Sequence, residues 1–75
     1  MGMDRALLVL RSITYAYKAQ RLLENHGIYS QVIRTPAEYA PSGCSYSLSV
    51  ARQGARAADI LRYSGIKLLK VVRNA

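Results

Sequence analysis

A short step of polar residue, glycine and isoleucine occurs twice in the chain, and it constrains the fold more than any other feature. Its two copies are His26-Gly27-Ile28 and Ser64-Gly65-Ile66, and each follows a segment with the apolar spacing of a helix. Glycine readily adopts the left-handed backbone conformation in which many helices end. Each step therefore predicts the end of a helix and the return of the chain toward a strand.

Two helices and four strands are predicted around these steps. The helices extend over residues 13 to 26 and 54 to 64, and Ser12 or Thr14 can cap the first of them. The predicted strands, two in each half of the chain, are residues 6–10, 28–34, 45–50 and 66–72.

The order strand, helix, strand, strand, helix, strand predicts an α+β fold of the ferredoxin-like split βαββαβ type. In this fold two helices lie on one face of a four-stranded antiparallel sheet. We expect residues 1–75 to form one such domain. A chain of this length buries only about 60% of the surface that it exposes when unfolded, so we expect marginal stability.

The first strand carries apolar side chains on both of its faces. Leu7 and Val9 alternate with Ala6, Leu8 and Leu10, so one set lies on the sheet face away from the helices. The chain has one cysteine and therefore cannot form an intramolecular disulfide that would stabilise so small a domain. We expect a second copy to cover the open face, which predicts a homodimer.

The single cysteine, Cys44, ends a loop rich in turn-forming residues. The loop, residues 35–43, contains two prolines and a glycine, and a strand with strict alternation follows it. A cysteine that only fills a core is more typical of the interior of an apolar run. The position of Cys44 is therefore the first indication of a reactive thiol.

The predicted topology brings this loop to the end of the sheet where the first helix begins. Arg11 and Arg34 flank the same end, and residues 65–67 border it where the second helix finishes. A helix N-terminus and cationic side chains favour a thiolate, which is the nucleophilic form of cysteine. An inert cysteine at the start of a strand is the alternative that the residues alone leave open.

Twelve residues spread along the chain form a recognisable pattern: Ser12, Ala16, Leu22, Leu23, Gly27, Ile28, Thr35, Pro36, Ser42, Cys44, Gly65 and Ile66. Through them, the chain from Leu7 to Val72 resembles the small family of proposed selenium/sulfur carrier proteins. The resemblance implies that Cys44 is the carrier thiol, loaded by a sulfur or selenium donor protein such as a cysteine desulfurase. The sequence departs from the family pattern at Gln20, Ala37 and Ser45, which stand for glutamate, arginine and glycine. The candidate binding residues around the thiol are Arg11, Ser12, Arg34, Ser42, Gly43 and Ser45.

A basic binding module with an inert cysteine is the competing function. Eleven Lys and Arg against four Asp and Glu give a net charge of +7, which attracts an acidic protein or a nucleic acid. Nucleic-acid binding is disfavoured, because Tyr46, Leu48 and Val50 are predicted to face the helices and leave serines on the open face instead of stacking aromatics.

Several other classes of function lack their motifs. The sequence has no phosphate-binding glycine loop, Ser-His-Asp order or zinc-ligand spacing, so we expect no cofactor, no metal and no enzymatic turnover by this chain alone. The apolar run at residues 6–10 is too short for a signal-peptide core or a membrane span. We therefore expect a cytoplasmic protein that does not bind membranes.

Overall fold

A computed structural model of the chain describes residues 4–40 and 45–73. Its elements in chain order are β1 (Ala6–Leu10), α1 (Ile13–Asn25), β2 (Gln31–Arg34), a 3-10 turn (Ala37–Tyr39), β3 (Tyr46–Val50), α2 (Gly54–Tyr63) and β4 (Lys70–Arg73). The sheet order is β2-β3-β1-β4, and every neighbouring pair is antiparallel. The predicted α+β split βαββαβ fold is confirmed.

Both glycine-isoleucine steps close a helix with the same set of backbone hydrogen bonds. Gly27 and Gly65 have φ of 75° and 83°, in the left-handed region. The N–H of Ile28 donates to the carbonyl of Leu23 at 2.9 Å, and Ile66 donates to Leu61 at 2.9 Å. These are Schellman caps, in which the residue after the glycine also buries its side chain against the helix. The predicted helix ends are confirmed.

The same caps explain why two strands are shorter than the sequence predicts. Strands β2 and β4 begin at Gln31 and Lys70 instead of residues 28 and 66. Ile28 and Ile66 are buried, but their N–H groups are committed to the helix ends and do not join the sheet. The assignment of these positions to strands was wrong. A buried apolar side chain is expected both after such a cap and within a strand, so it does not distinguish the two.

The hydrophobic core lies between the helices and one face of the sheet. Leu8 pairs with Leu48 across β1 and β3, and both are fully buried. Leu23 of α1 and Leu61 of α2 are also fully buried in this cluster. Tyr46 packs against its border, so the predicted inward face of β3 is correct.

The other face of the sheet is covered in part by the chain itself. Leu7 and Val9 point away from the helices, yet both are buried. Pro36 and Tyr39 line a cavity of about 250 Å³ on this face together with Leu7 and other residues. The 3-10 turn therefore packs across the face that we expected a second copy to cover. Dimerisation stays a prediction. The apolar surface exposed on this face, which would favour it, is smaller than the sequence predicts.

Helix α2 begins with a backbone that approaches β1 closely. The N–H of Gly54 donates to the carbonyl of Asp4 at 2.8 Å, and the N–H of Ala55 donates to the Asp4 carboxylate at 3.0 Å. The Ala55 hydrogen bond, assisted by Arg73, holds the pKa of Asp4 below its usual value. The ionised carboxylate thus caps α2 at neutral pH, and its contribution to stability is lost on acidification through that lowered pKa.

Candidate functional site

Strands β1 and β2 end, and β3 and β4 begin, at one end of the sheet. Helix α1 starts there and α2 finishes there. We call this region the loop end, and it comprises residues 10–15, 34–35, 45–46 and 63–70. Cys44, Ser42 and Gly43 lie outside the described residues. The described residues that flank them in sequence, or that lie at the same end of the sheet, form the rest of the candidate site.

Ser12 caps the first turn of α1. It has an extended backbone, its side chain accepts a hydrogen bond from the N–H of Tyr15 at 3.4 Å, and its carbonyl accepts from Ala16 at 3.0 Å. The first turn carries no acidic residue. The partial positive charge of the helix N-terminus is therefore not offset by a carboxylate in this turn.

Arg11 and Arg34 lie at the loop end on either side of β3. Leu10 and Arg34 both pair with Tyr46, so their backbones are separated by two strand spacings, roughly 10 Å. Both arginines are exposed. Within residues 4–40 and 45–73, neither one makes an ion pair or a side-chain hydrogen bond. Their cationic groups thus remain available to an anion at this end.

Hydrogen bonds join the two sides of the loop at its base. The N–H of Thr35 donates to the carbonyl of Ser45 at 3.1 Å. The hydroxyls of Thr35 and Ser47 are buried and 2.6 Å apart. Ser45 is 3% exposed, and its hydroxyl has no hydrogen-bond partner among the described residues. The residue that follows Cys44 is therefore buried directly before β3, and its backbone is hydrogen-bonded to Thr35.

Two contacts at or next to the loop end were missed by the sequence analysis. Tyr15 lines a small cavity of about 80 Å³ with Arg11, Gly65 and Lys67. The ammonium of Lys70 lies over the ring of Tyr39, 5.7 Å from its centroid. The spacing of Tyr15 from Ser12 could have indicated the first contact, because it places Tyr15 in the first turn. No local signal pairs Lys70 with Tyr39.

Glu38 is the only carboxylate of the loop sequence. Its hydrogen bond and its negative charge raise the pKa of the neighbouring Tyr39 phenol. A phenol is already protonated at neutral pH at its ordinary pKa of about 10, and the upward shift does not change this, so Tyr39 offers an uncharged ring to Lys70.

The part of the chain that the structure describes contains no group of three or more His, Cys, Asp or Glu side chains able to hold a metal ion. No helix among the described residues has the length and apolar character needed to cross a bilayer.

Comparisons with known proteins point to a family. A family model described as "Putative Se/S carrier protein-like" matches residues 5–73, which is nearly the whole chain. No curated protein and no solved structure matches the sequence.

Proposed function

The chain belongs to the Se/S carrier protein-like family, and on this basis we propose that it carries a sulfur or selenium atom on the thiol of Cys44. It accepts the atom from a donor protein, such as a cysteine desulfurase, and passes it to an acceptor without turnover of its own. The observation that carries the proposal is the family match over residues 5–73, which include the chain's only cysteine.

Transfer of sulfur needs no external oxidant. The Cys44 thiolate attacks the terminal sulfur of a persulfide on the donor, and a new sulfur–sulfur bond forms at Cys44. The donor's own sulfur–sulfur bond breaks, and its cysteine leaves as a thiolate. A selenium atom bound to a donor cysteine moves in the same way and leaves a selenosulfide on Cys44.

The surroundings of the loop support a thiolate. Arg11, Arg34 and the N-terminus of α1 lie at the end of the sheet where the loop begins and ends. Positive charge lowers the pKa of a nearby thiol by favouring its anion. We propose Ser12, Ser42, Gly43 and Ser45 as the other binding residues.

Three further predictions accompany the carrier role. The chain forms a single domain, two copies associate as a homodimer, and the protein is located in the cytoplasm.

The proposal predicts a covalent adduct on Cys44. Reduced protein is incubated with a cysteine desulfurase and either cysteine or selenocysteine, or with inorganic polysulfide, and the intact protein is weighed before and after dithiothreitol. We expect a gain of one sulfur or selenium atom that the reductant removes, and no gain in Cys44→Ser. A wild-type protein that stays unmodified with every donor, and whose thiol pKa is at or above about 8.5, would contradict the carrier role. That result would favour a basic binding module with an inert cysteine.

The thiol pKa tests the role of the two arginines. Arg11→Ala and Arg34→Ala should each raise the Cys44 pKa by roughly half a unit, because each removes one positive charge from the loop end. Lys18→Ala is the control, since Lys18 is an exposed residue farther along α1. The pKa is measured from the pH dependence of thiol alkylation. Equal shifts in all three variants would mean that only net charge matters.

A further inference from the structure

We propose that the loop end is a docking surface for a protein partner with an acidic contact surface. This inference rests on the proposed function, because a donor or acceptor that exchanges an atom with Cys44 must approach this end. The docking surface is formed by Arg11, Ile13, Tyr15, Arg34, Lys67, Leu69 and Lys70.

The cations of the docking surface are not neutralised by the chain's own acids. Within the described ranges, Arg11, Arg34 and Lys67 make no ion pair, and Lys70 contacts the face of an aromatic ring. The four acidic side chains of the sequence are placed elsewhere or engaged: Asp4 with Arg73, Asp59 with Arg62, Glu24 near the end of α1, and Glu38 beside Tyr39. The loop end therefore presents a positive field that complements an acidic partner.

Apolar and aromatic groups are exposed among these cations. Ile13 and Leu69 are each 40% exposed, and Tyr15 is 44% exposed. Tyr15, Arg11 and Lys67 surround the same small cavity. Protein interfaces combine tyrosine and arginine with apolar contacts in this manner.

The character of the exposed groups favours a protein over a nucleic acid. Single-stranded RNA binds this fold class by stacking its bases on aromatic residues of the open sheet face. Here Ser47 and Val9 on that face are buried, and the 3-10 turn packs against it. Aliphatic side chains such as Ile13 and Leu69 give apolar contacts that a phosphate backbone does not use.

The opposite end of the sheet supplies a matched control. There α1 and β3 end and α2 begins, and we call it the far end, residues 25–31 and 50–56. Arg52 and Arg56 are exposed at the far end. Reversing both charges changes the net charge by the same amount as reversing Arg11 and Lys67.

The full-length protein is titrated with an acidic peptide of repeated Glu-Glu-Leu triplets. Binding is detected by the changes in the protein's amide chemical shifts. We expect shifts concentrated at the loop end, and affinity roughly tenfold weaker in the Arg11→Glu/Lys67→Glu variant, equivalent to about 1.4 kcal/mol. The Arg52→Glu/Arg56→Glu variant should bind within about twofold of wild type, since its changes are distant. Absence of binding, or equal weakening in both variants, would overturn the proposal. Tighter binding of a single-stranded RNA of equal charge at the same residues would assign the surface to nucleic acid and also overturn it.

Loading of the wild-type thiol with inorganic polysulfide separates docking from carrier chemistry, because this small donor needs no protein contact. If the thiol is loaded but the peptide does not bind, only the docking proposal is contradicted. If the peptide binds but the thiol is not loaded, only the carrier role is contradicted, and the loop end is still an interface for an acidic protein.

Discussion

Replacing Gly54 with alanine will destabilise the protein by about 1–3 kcal/mol, the usual cost of forcing extra volume into a packed site. A Cβ atom at this position would lie 2.6 Å from the Cβ of Ala6 and 2.8 Å from the carbonyl oxygen of Asp4. Neither neighbour is the end of a flexible side chain, so β1 and α2 would have to move apart. Urea denaturation followed by circular dichroism measures the change.

Helix propensity alone predicts the opposite sign for this substitution. Alanine is more favourable than glycine within a helix by up to about 1 kcal/mol. The contact with β1 should therefore decide the outcome. Adding Ala6→Gly to the Gly54→Ala chain removes one of the two close contacts and should recover part of the loss. A Gly54→Ala protein as stable as wild type would show that β1 and α2 adjust freely.

Replacing Thr35 with valine will destabilise the base of the loop by about 1–3 kcal/mol, because it leaves the buried Ser47 hydroxyl without its partner. The valine keeps the shape of threonine and removes only the hydroxyl. Replacing both residues, as Thr35→Val/Ser47→Ala, should cost less than the sum of the two single changes. Thermal unfolding of the four proteins in this cycle gives the coupling between the hydroxyls.

Thr14→Val is the control for the loss of a threonine hydroxyl, since Thr14 is exposed at the start of α1. We expect its stability to stay within about 0.5 kcal/mol of wild type. Additive costs for Thr35→Val and Ser47→Ala would contradict a direct bond between the two hydroxyls. The cycle thus measures how much the hydrogen bond at the base of the loop before Cys44 contributes to stability.

The features that the sequence predicted correctly are local ones. Gly27 and Gly65 end helices by their own backbone conformation, and the alternation of β3 determines which of its side chains face the core. Once the order of strands was known, topology placed Arg11 and Arg34 at one end of the sheet. The helix ends and the inward face of β3 needed no contact between distant residues, and the placement of the two arginines needed only the predicted order of the elements.

The features that it missed depend on contacts between distant residues. The buried Thr35–Ser47 pair joins the residue after β2 to β3, and the Lys70–Tyr39 contact joins β4 to the 3-10 turn. A loop with two prolines and a glycine does not reveal that its first half returns across the sheet. The roles of the candidate site residues, including Cys44, stay predictions that the adduct and pKa measurements test.

The two outer strands also bear on whether the sheets of two molecules can join edge to edge. Strands β2 and β4 form the edges of the sheet, and each is only four residues long. Arg34 ends one edge, while Lys70 and Arg73 bound the other. If the edges of two molecules paired, these charges would be brought together and would repel, and short charged edges are a common defence against such growth. The sheet is thus protected against extension by another strand, while its loop end stays accessible.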